Sequence, residues 1–273
     1  MRYTRHRPLP PLSGLVDHIW CLADAPTHAR ERIVPSGTIE IVLNLHEDAF
    51  RIYDPATGAE RRFAGAIASG CYGTVFEIDA RAHALVMGVH FHPGGAARLL
   101  GGTPPGLLAD DHVALDDLWG RQASELRERL CEASTPSQRV QILAQALVAR
   151  LLPERASSCI PIARALLERP GAEIGRVAAQ LGTSRRRFIE TFTREVGMTP
   201  KRWAMVRRFQ RALVLATNRP SPRLAAIALE CGYYDQAHAC RDFVALTGLT
   251  PGQLLARRRI AVKDNHVAVS TRG

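Results

Sequence analysis

A four-residue signature occurs twice in the C-terminal part of the chain. Gly197-Met198-Thr199-Pro200 recurs 51 positions later as Gly248-Leu249-Thr250-Pro251, and Phe192 recurs at the same distance as Phe243. Upstream, Ile174, Val177, Ala178 and Leu181 precede Gly182, and Leu224, Ile227, Ala228 and Cys231 precede Gly232, at an offset of 50. The offset grows by one within the turn, as a turn one residue longer requires. Apolar residues at i, i+3, i+4 and i+7 make one helical face. The segment therefore holds two copies of one helical unit.

Each copy spells helix, tight turn, helix. The first helix ends at a glycine, which accepts the left-handed conformation that stops a helix. An N-cap residue follows: Ser184, or Thr183 before it, in the first copy and Asp235 in the second. This is the helix-turn-helix pattern, whose second helix enters the major groove of DNA with its N-terminal residues toward the base edges. Arg185, Arg186 and Arg187 open that helix in the first copy, and Gln236, His238 and Arg241 lie along it in the second. Arg can read guanine bidentately and Gln can read adenine. The bland alternative is a solvated helix start. Three cations there oppose the helix dipole, a cost that favours a functional reason. Between the copies, Trp203, Val206, Phe209 and Leu213 form one stripe over Pro200 to Thr217. This predicts a long connecting helix, broken by Asn218-Arg219-Pro220-Ser221-Pro222.

Charge separates the halves. The chain of 273 residues carries a formal +10 and a pI near 10.0. Residues 1–152 hold 15 Lys and Arg against 17 Asp and Glu, a net −2, while residues 153–273 hold 21 against 9, a net +12. A near-neutral half joined to a basic half reads as a sensing module attached to a nucleic-acid module. The expected division is a β-rich sensor or dimerisation domain with a helical tail over 1–152, a DNA-binding domain over 153–260, and a disordered tail over 261–273, with the chain fraying from about Val262. Leu152-Pro153-Glu154-Arg155 marks the boundary.

In the first half, Ile39 to Leu45, Phe50 to Tyr53, Arg62 to Ile67 and Ala84 to Phe91 read as strands, with Asp54-Pro55-Ala56-Thr57-Gly58 as a turn. The texture turns helical from about Gly94, with Arg121 to Cys131 and Gln138 to Leu152 at helical spacing. The fold class is α+β: a β-sandwich or barrel of cupin type with trailing helices, then an all-α domain. His90 and His92 share one face of a strand, but a third metal ligand is not signalled, and no metal or cofactor is expected. No Walker, HExxH, GxSxG or paired-carboxylate signature occurs, so an enzyme is not expected. Arg257-Arg258-Arg259 is a charge run, solvated or touching phosphate. Six cysteines without CxxC spacing read as reduced, and neither a signal peptide nor a membrane span is evident, so the cytoplasm is the expected location.

From Ile160 to Arg258 the chain resembles the AraC/XylS family of bacterial transcription regulators. The resemblance rests on Ile227-Ala228, Gly232-Tyr233-Tyr234-Asp235-Gln236-Ala237-His238, Arg241 and Phe243, the closing Gly-x-Thr-Pro, and Trp203, Arg208 and Ala212 in the connector. It implies a seven-helical domain. It also implies base contacts at Arg186, Ile189 and Glu190 in the first unit and at Gln236, Ala237, His238 and Arg241 in the second. Ala239 stands where the family carries an aromatic residue, so the second unit packs less firmly unless Tyr233 or Tyr234 fills the space. The N-terminal half resembles an uncharacterised β-rich type through Glu31 to Gly37, Glu40-Ile41 and Gly88 to Ala96. The implied partner is double-stranded DNA; RNA polymerase, a small-molecule effector and a second copy of the chain are further candidates. The competing readings are a cupin-type metal-dependent enzyme with a DNA-binding tail and a cysteine-based sensor of DNA methylation damage.

Overall fold

The computed structural model describes residues 2–24, 29–153, 158–219, 222–258 and 266–269. Parts of three expected features, Glu154-Arg155, Pro220-Ser221 and Arg259, lie outside these residues.

The first half is two facing antiparallel sheets. One contains β1 (Arg2–His6), β2 (Val16–Ala23), β4 (Glu40–Asn44), β7 (Ala66–Ser69), β9 (Leu85–Phe91) and β10 (His112–Ala114), ordered β1-β2-β9-β4-β7-β10. The other contains β3 (Arg30–Ile33), β5 (Phe50–Tyr53), β6 (Glu60–Phe63), β8 (Phe76–Asp79) and β11 (His266–Ala268), ordered β11-β3-β8-β5-β6. Side chains alternate across a strand, and both faces of the first sheet are used. Ile41, Leu43, Ala68, Met87, Val89 and Phe91 join the main core, while Trp20, Leu22 and Val86 form a separate cluster on the side facing the second sheet. Gly88 permits that cluster, because a Cβ there would lie 2.6 Å from the Trp20 ring.

The expected strand Arg62 to Ile67 is two strands in different sheets. The chain crosses between them at Gly65, whose amide donates to Asp48 Oδ1 at 3.1 Å and whose carbonyl accepts from Asn44. A side chain at Gly65 would collide with Asp48 and Arg127. The Asp54 turn forms as expected: Asp54 Oδ1 accepts from the amides of Ala56 and Thr57, and Gly58 has φ 73°. Helix does not begin at Gly94. Two 3-10 turns (Gly95–Arg98 and Pro105–Leu108) and β10 come first, and α1 (Leu115–Trp119), α2 (Gln122–Glu132) and α3 (Pro136–Ala149) follow.

Seven helices make up the second half among the described residues: α4 (Ile160–Leu167), α5 (Ile174–Gln180), α6 (Arg185–Val196), α7 (Pro200–Asn218), α8 (Leu224–Glu230), α9 (Gln236–Thr247) and α10 (Pro251–Arg258). The repeated Gly-x-Thr-Pro is thereby explained in its first copy. Gly197 ends α6 in the left-handed region, Thr199 caps α7 by accepting from the Arg202 amide, and Pro200 fits the first helical position. The expected fraying from Val262 does not hold at His266–Ala268. These residues pair with β3, burying Val267 and setting His266 against Glu31.

The halves share one continuous core. Trp203 of α7, fully buried, donates from Nε1 to the Gly37 carbonyl at 2.9 Å. Gly37 has φ 75°, and a Cβ there would press on that indole at 3.2 Å. Gln210 donates to the Pro35 carbonyl and Arg202 to the Gly73 carbonyl. The connector between the repeated units thus rests on the loop leading into β4.

Candidate nucleic-acid interface

The two repeated units become α5–turn–α6 and α8–turn–α9. Their turns hold glycine in the left-handed region, Gly182 at φ 66° and Gly232 at φ 84°. Ser184 caps α6, its Oγ accepting from the Arg187 amide at 3.2 Å, and Asp235 caps α9, its Oδ1 accepting from the His238 amide at 2.6 Å. Both caps therefore sit where the spacing places them, and the residues just after them, Arg185 to Arg187 and Gln236-Ala237, are exposed.

In α6, Phe188, Phe192 and Val196 take the buried face. This leaves Arg185, Arg186, Arg187 and Glu190 exposed and Ile189 half-buried. The first turn of α6 contains no acid, so the three guanidinium groups meet the positive end of the helix dipole uncompensated by that turn. Arg186 instead donates from Nε to Glu190 Oε1 at 2.9 Å, one turn on. That pair holds the arginine's protonated form and raises its pKa further. The carboxylate engages Nε alone, which leaves both terminal amino groups of Arg186 free to fork onto a partner.

In α9, Gln236, Ala237 and Arg241 are exposed, and His238 is half-buried. The His238 ring stands edge-on to Tyr233 at 5.2 Å. Its Nε2 lies 3.5 Å from the Arg208 guanidinium, and its Nδ1 lies 3.5 Å from the Tyr234 amide. His238 is thus engaged within the protein. Arg208 of α7 bonds Asp242 Oδ2 at 2.9 Å and covers the Tyr233 ring at 4.4 Å. Tyr233 and Ala239 are both buried, whereas Tyr234 is 88% exposed. Burial pushes the Tyr233 phenol well above its ordinary range.

Two features escaped the sequence reading. Asp242 carries the ion pair that ties α9 to α7, signalled only by an acid one turn after His238 on the buried side. Exposed Tyr234, adjoining the cap of α9, offers a flat ring at the same end as Gln236. Burial raises the thiols of Cys71, Cys159 and Cys231.

Comparison with known proteins agrees with this geometry. Residues 177–257 match the family described as a helix-turn-helix domain, and residues 4–114 match one described as a domain of unknown function (DUF6597). An uncharacterised HTH-type transcriptional regulator of Haemophilus influenzae is 35% identical over 91 residues, which is 33% of this chain and 30% of that protein. The chain therefore spans about a third of the length of that relative. Among solved structures, ToxT from Vibrio cholerae aligns over 93% of this chain and 98% of its own, at 10% identity and a TM-score of 0.47. A probable AraC family transcriptional regulator from Rhodopseudomonas palustris aligns over 36% of this chain and 90% of its own, at 29% identity and a TM-score of 0.30. The class defined here is a β-sandwich followed by a helical domain with two helix-turn-helix units. Within that helical domain, residues 177–257 are similar to the helix-turn-helix family.

Proposed function

We propose that the protein is a sequence-specific transcription regulator, with residues 1–152 as its sensor or dimerisation module and 153–260 as its DNA-binding module. Each protomer sets α6 and α9 into successive major grooves on one face of the duplex. The observation that carries this reading is the repeat itself: two capped recognition helices, polar and exposed at their N-termini, joined by the 19-residue helix α7. A rigid connector fixes their separation, and one DNA turn is about 34 Å.

Arg185, Arg186 and Arg187 supply phosphate and guanine contacts at one block, and Gln236 and Arg241 supply them at the other. Ser184 and Asp235 at the two helix starts, Glu190 beside Arg186 and His238 beside Tyr233 complete the proposed DNA-binding surface. The reaction class is binding, without catalysis. A small-molecule effector, RNA polymerase and a second copy of the chain are the further partners this role calls for. No helix among the described residues is long and apolar enough to cross a membrane, and a cytoplasmic location fits this role. Among the described residues no cluster of three or more His, Cys, Asp or Glu is placed to hold a metal.

The test is selection of bound fragments from sheared genomic DNA by the full chain at near-physiological salt. The expected result is one motif with two information-rich blocks about ten base pairs apart, and affinity that falls steeply with added salt. Arg241→Ala weakens binding by about 1–3 kcal/mol and relaxes one base position. Recovery of fragments without any motif would overturn the reading.

A further inference from the structure

The two repeated turns differ by one residue, and their backbone hydrogen bonds locate it. In the first unit the Thr183 amide donates to the Ala178 carbonyl at 3.0 Å, and in the second the Tyr233 amide donates to the Ala228 carbonyl at 2.9 Å. The Gly182 and Gly232 amides donate to Ala179 and Leu229 in the same matched way. Up to this point the units run at an offset of 50. The caps, Ser184 and Asp235, already stand 51 apart. The added residue is therefore Tyr234, set between the turn and the cap of α9.

This insertion puts a large ring into solvent. Tyr233 takes the interior position, buried, edge-on to His238 and covered by Arg208. Tyr234 is left 88% exposed, and Gln236 and Ala237, which open α9, are exposed as well. Charge separates this helix start from its counterpart. Arg185, Arg186 and Arg187 open α6, whereas residues 232–240 contain no Lys or Arg and a single acid, Asp235. An arginine run suits phosphate. The exposed Asp235 carboxylate next to Tyr234 opposes the approach of a phosphate. Base edges carry no net charge, and their apolar feature in the major groove is the C5-methyl group of thymine, which apolar side chains contact. A large, rigid aromatic ring is a suitable partner for that methyl group.

We propose that Tyr234 is a specificity-determining residue: its ring packs on the C5-methyl group of a thymine in the block read by α9, next to the base pair met by Gln236. The proposal rests on the reading of α9 as a recognition helix and names a base which that helix selects. The ring makes the contact, and the hydroxyl plays no part in it. The first unit has no residue at the corresponding place, so this requirement belongs to one block of the operator and not to the other.

The test uses the full chain and duplexes carrying the motif recovered by fragment selection. Each thymine of both blocks is replaced in turn by uracil, which removes the methyl group and keeps the base pair, and binding is followed by fluorescence anisotropy. At one position, in the block that Gln236→Ala relaxes, uracil should weaken binding about fourfold, the worth of one buried methyl group. That penalty should vanish in Tyr234→Ala and persist in Tyr234→Phe. Because the ring is exposed in the free protein, both variants should melt at the temperature of the parent. A parent with no uracil penalty in that block, or a penalty unchanged in Tyr234→Ala, would overturn the proposal. So would loss of the penalty in Tyr234→Phe, which assigns the contact to the hydroxyl. A motif without the uracil penalty sinks this proposal alone. Recovery of fragments without any motif sinks the regulator reading and this proposal with it.

Discussion

In the first helix-turn-helix unit, α6 is held partly by the β-sandwich. The 3-10 turn Pro105–Leu108 packs along it, and Gly106 comes so close that a Cβ would lie 3.0 Å from the Thr193 carbonyl. Gly197, at its end, sits against Cys71 and Pro105. In the second unit, α9 is held by helices. Phe243 meets Phe209 of α7 edge-on at 4.8 Å, Arg208 bonds Asp242, and α8 and α10 pack alongside. The sandwich reaches this unit through Arg32, which donates to the Thr247 carbonyl at 3.3 Å. Two copies of one sequence pattern therefore differ in what supports them. A change in the sandwich acts first on α6, and a change in α7 acts on α9 and on the spacing of the pair.

The largest expected effect removes the element common to both. Trp203→Ala should cost about 3–5 kcal/mol in denaturant unfolding, because the indole is fully buried, meets Phe192 at 5.7 Å and bonds Gly37. A loss near zero would show that the connector does not depend on the sandwich. Acid tests the sandwich side. With the folded pKa of His112 at about 3, the unfolded chain takes up a proton near pH 6.5 that the folded chain refuses. Stability from this group is thus complete above pH 6.5 and declines as pH falls toward 3, by up to ~1.4 kcal/mol per pH unit. His112→Phe should flatten that limb by one proton, measured as the slope of unfolding free energy against pH.

Asp242→Ala tests the helical side. It strips Arg208 of its carboxylate partner and should cost about 1–3 kcal/mol. In fragment selection it should blur the block read by α9 and spare the block read by α6. Equal blurring of both blocks would erase the distinction drawn between the units. The smallest effects come from the caps. Ser184→Ala and Asp235→Ala should each cost about 1 kcal/mol, and hydrogen exchange should rise only in the first turn of the helix concerned.

The helical half was readable because its signals are local. A stripe, a glycine and a cap lie within a dozen residues, and Gly182, Ser184, Gly232 and Asp235 act where that spacing puts them. The sandwich was less readable. Short strands such as Arg30–Ile33 and Phe76–Asp79 owe their pairing to partners far along the chain, and Gly65 cuts one apparent strand into two sheets. The exposure of Arg185, Arg186, Arg187 and Gln236 was readable from their place just after the caps. The role of Asp242 was not, because it depends on Arg208, 34 residues earlier.

The pairing of β11 with β3 has a consequence for biosynthesis. The Glu31–His266 contact closes a separation of 235 residues. Until the ribosome has delivered the whole helical half, β3 presents an open edge with unpaired amides and carbonyls, a template for stray strands from neighbouring nascent chains. The second sheet is therefore completed only after helices α4 to α10 have been made, and premature termination beyond α10 yields a chain with both helix-turn-helix units present and one sheet edge unsealed.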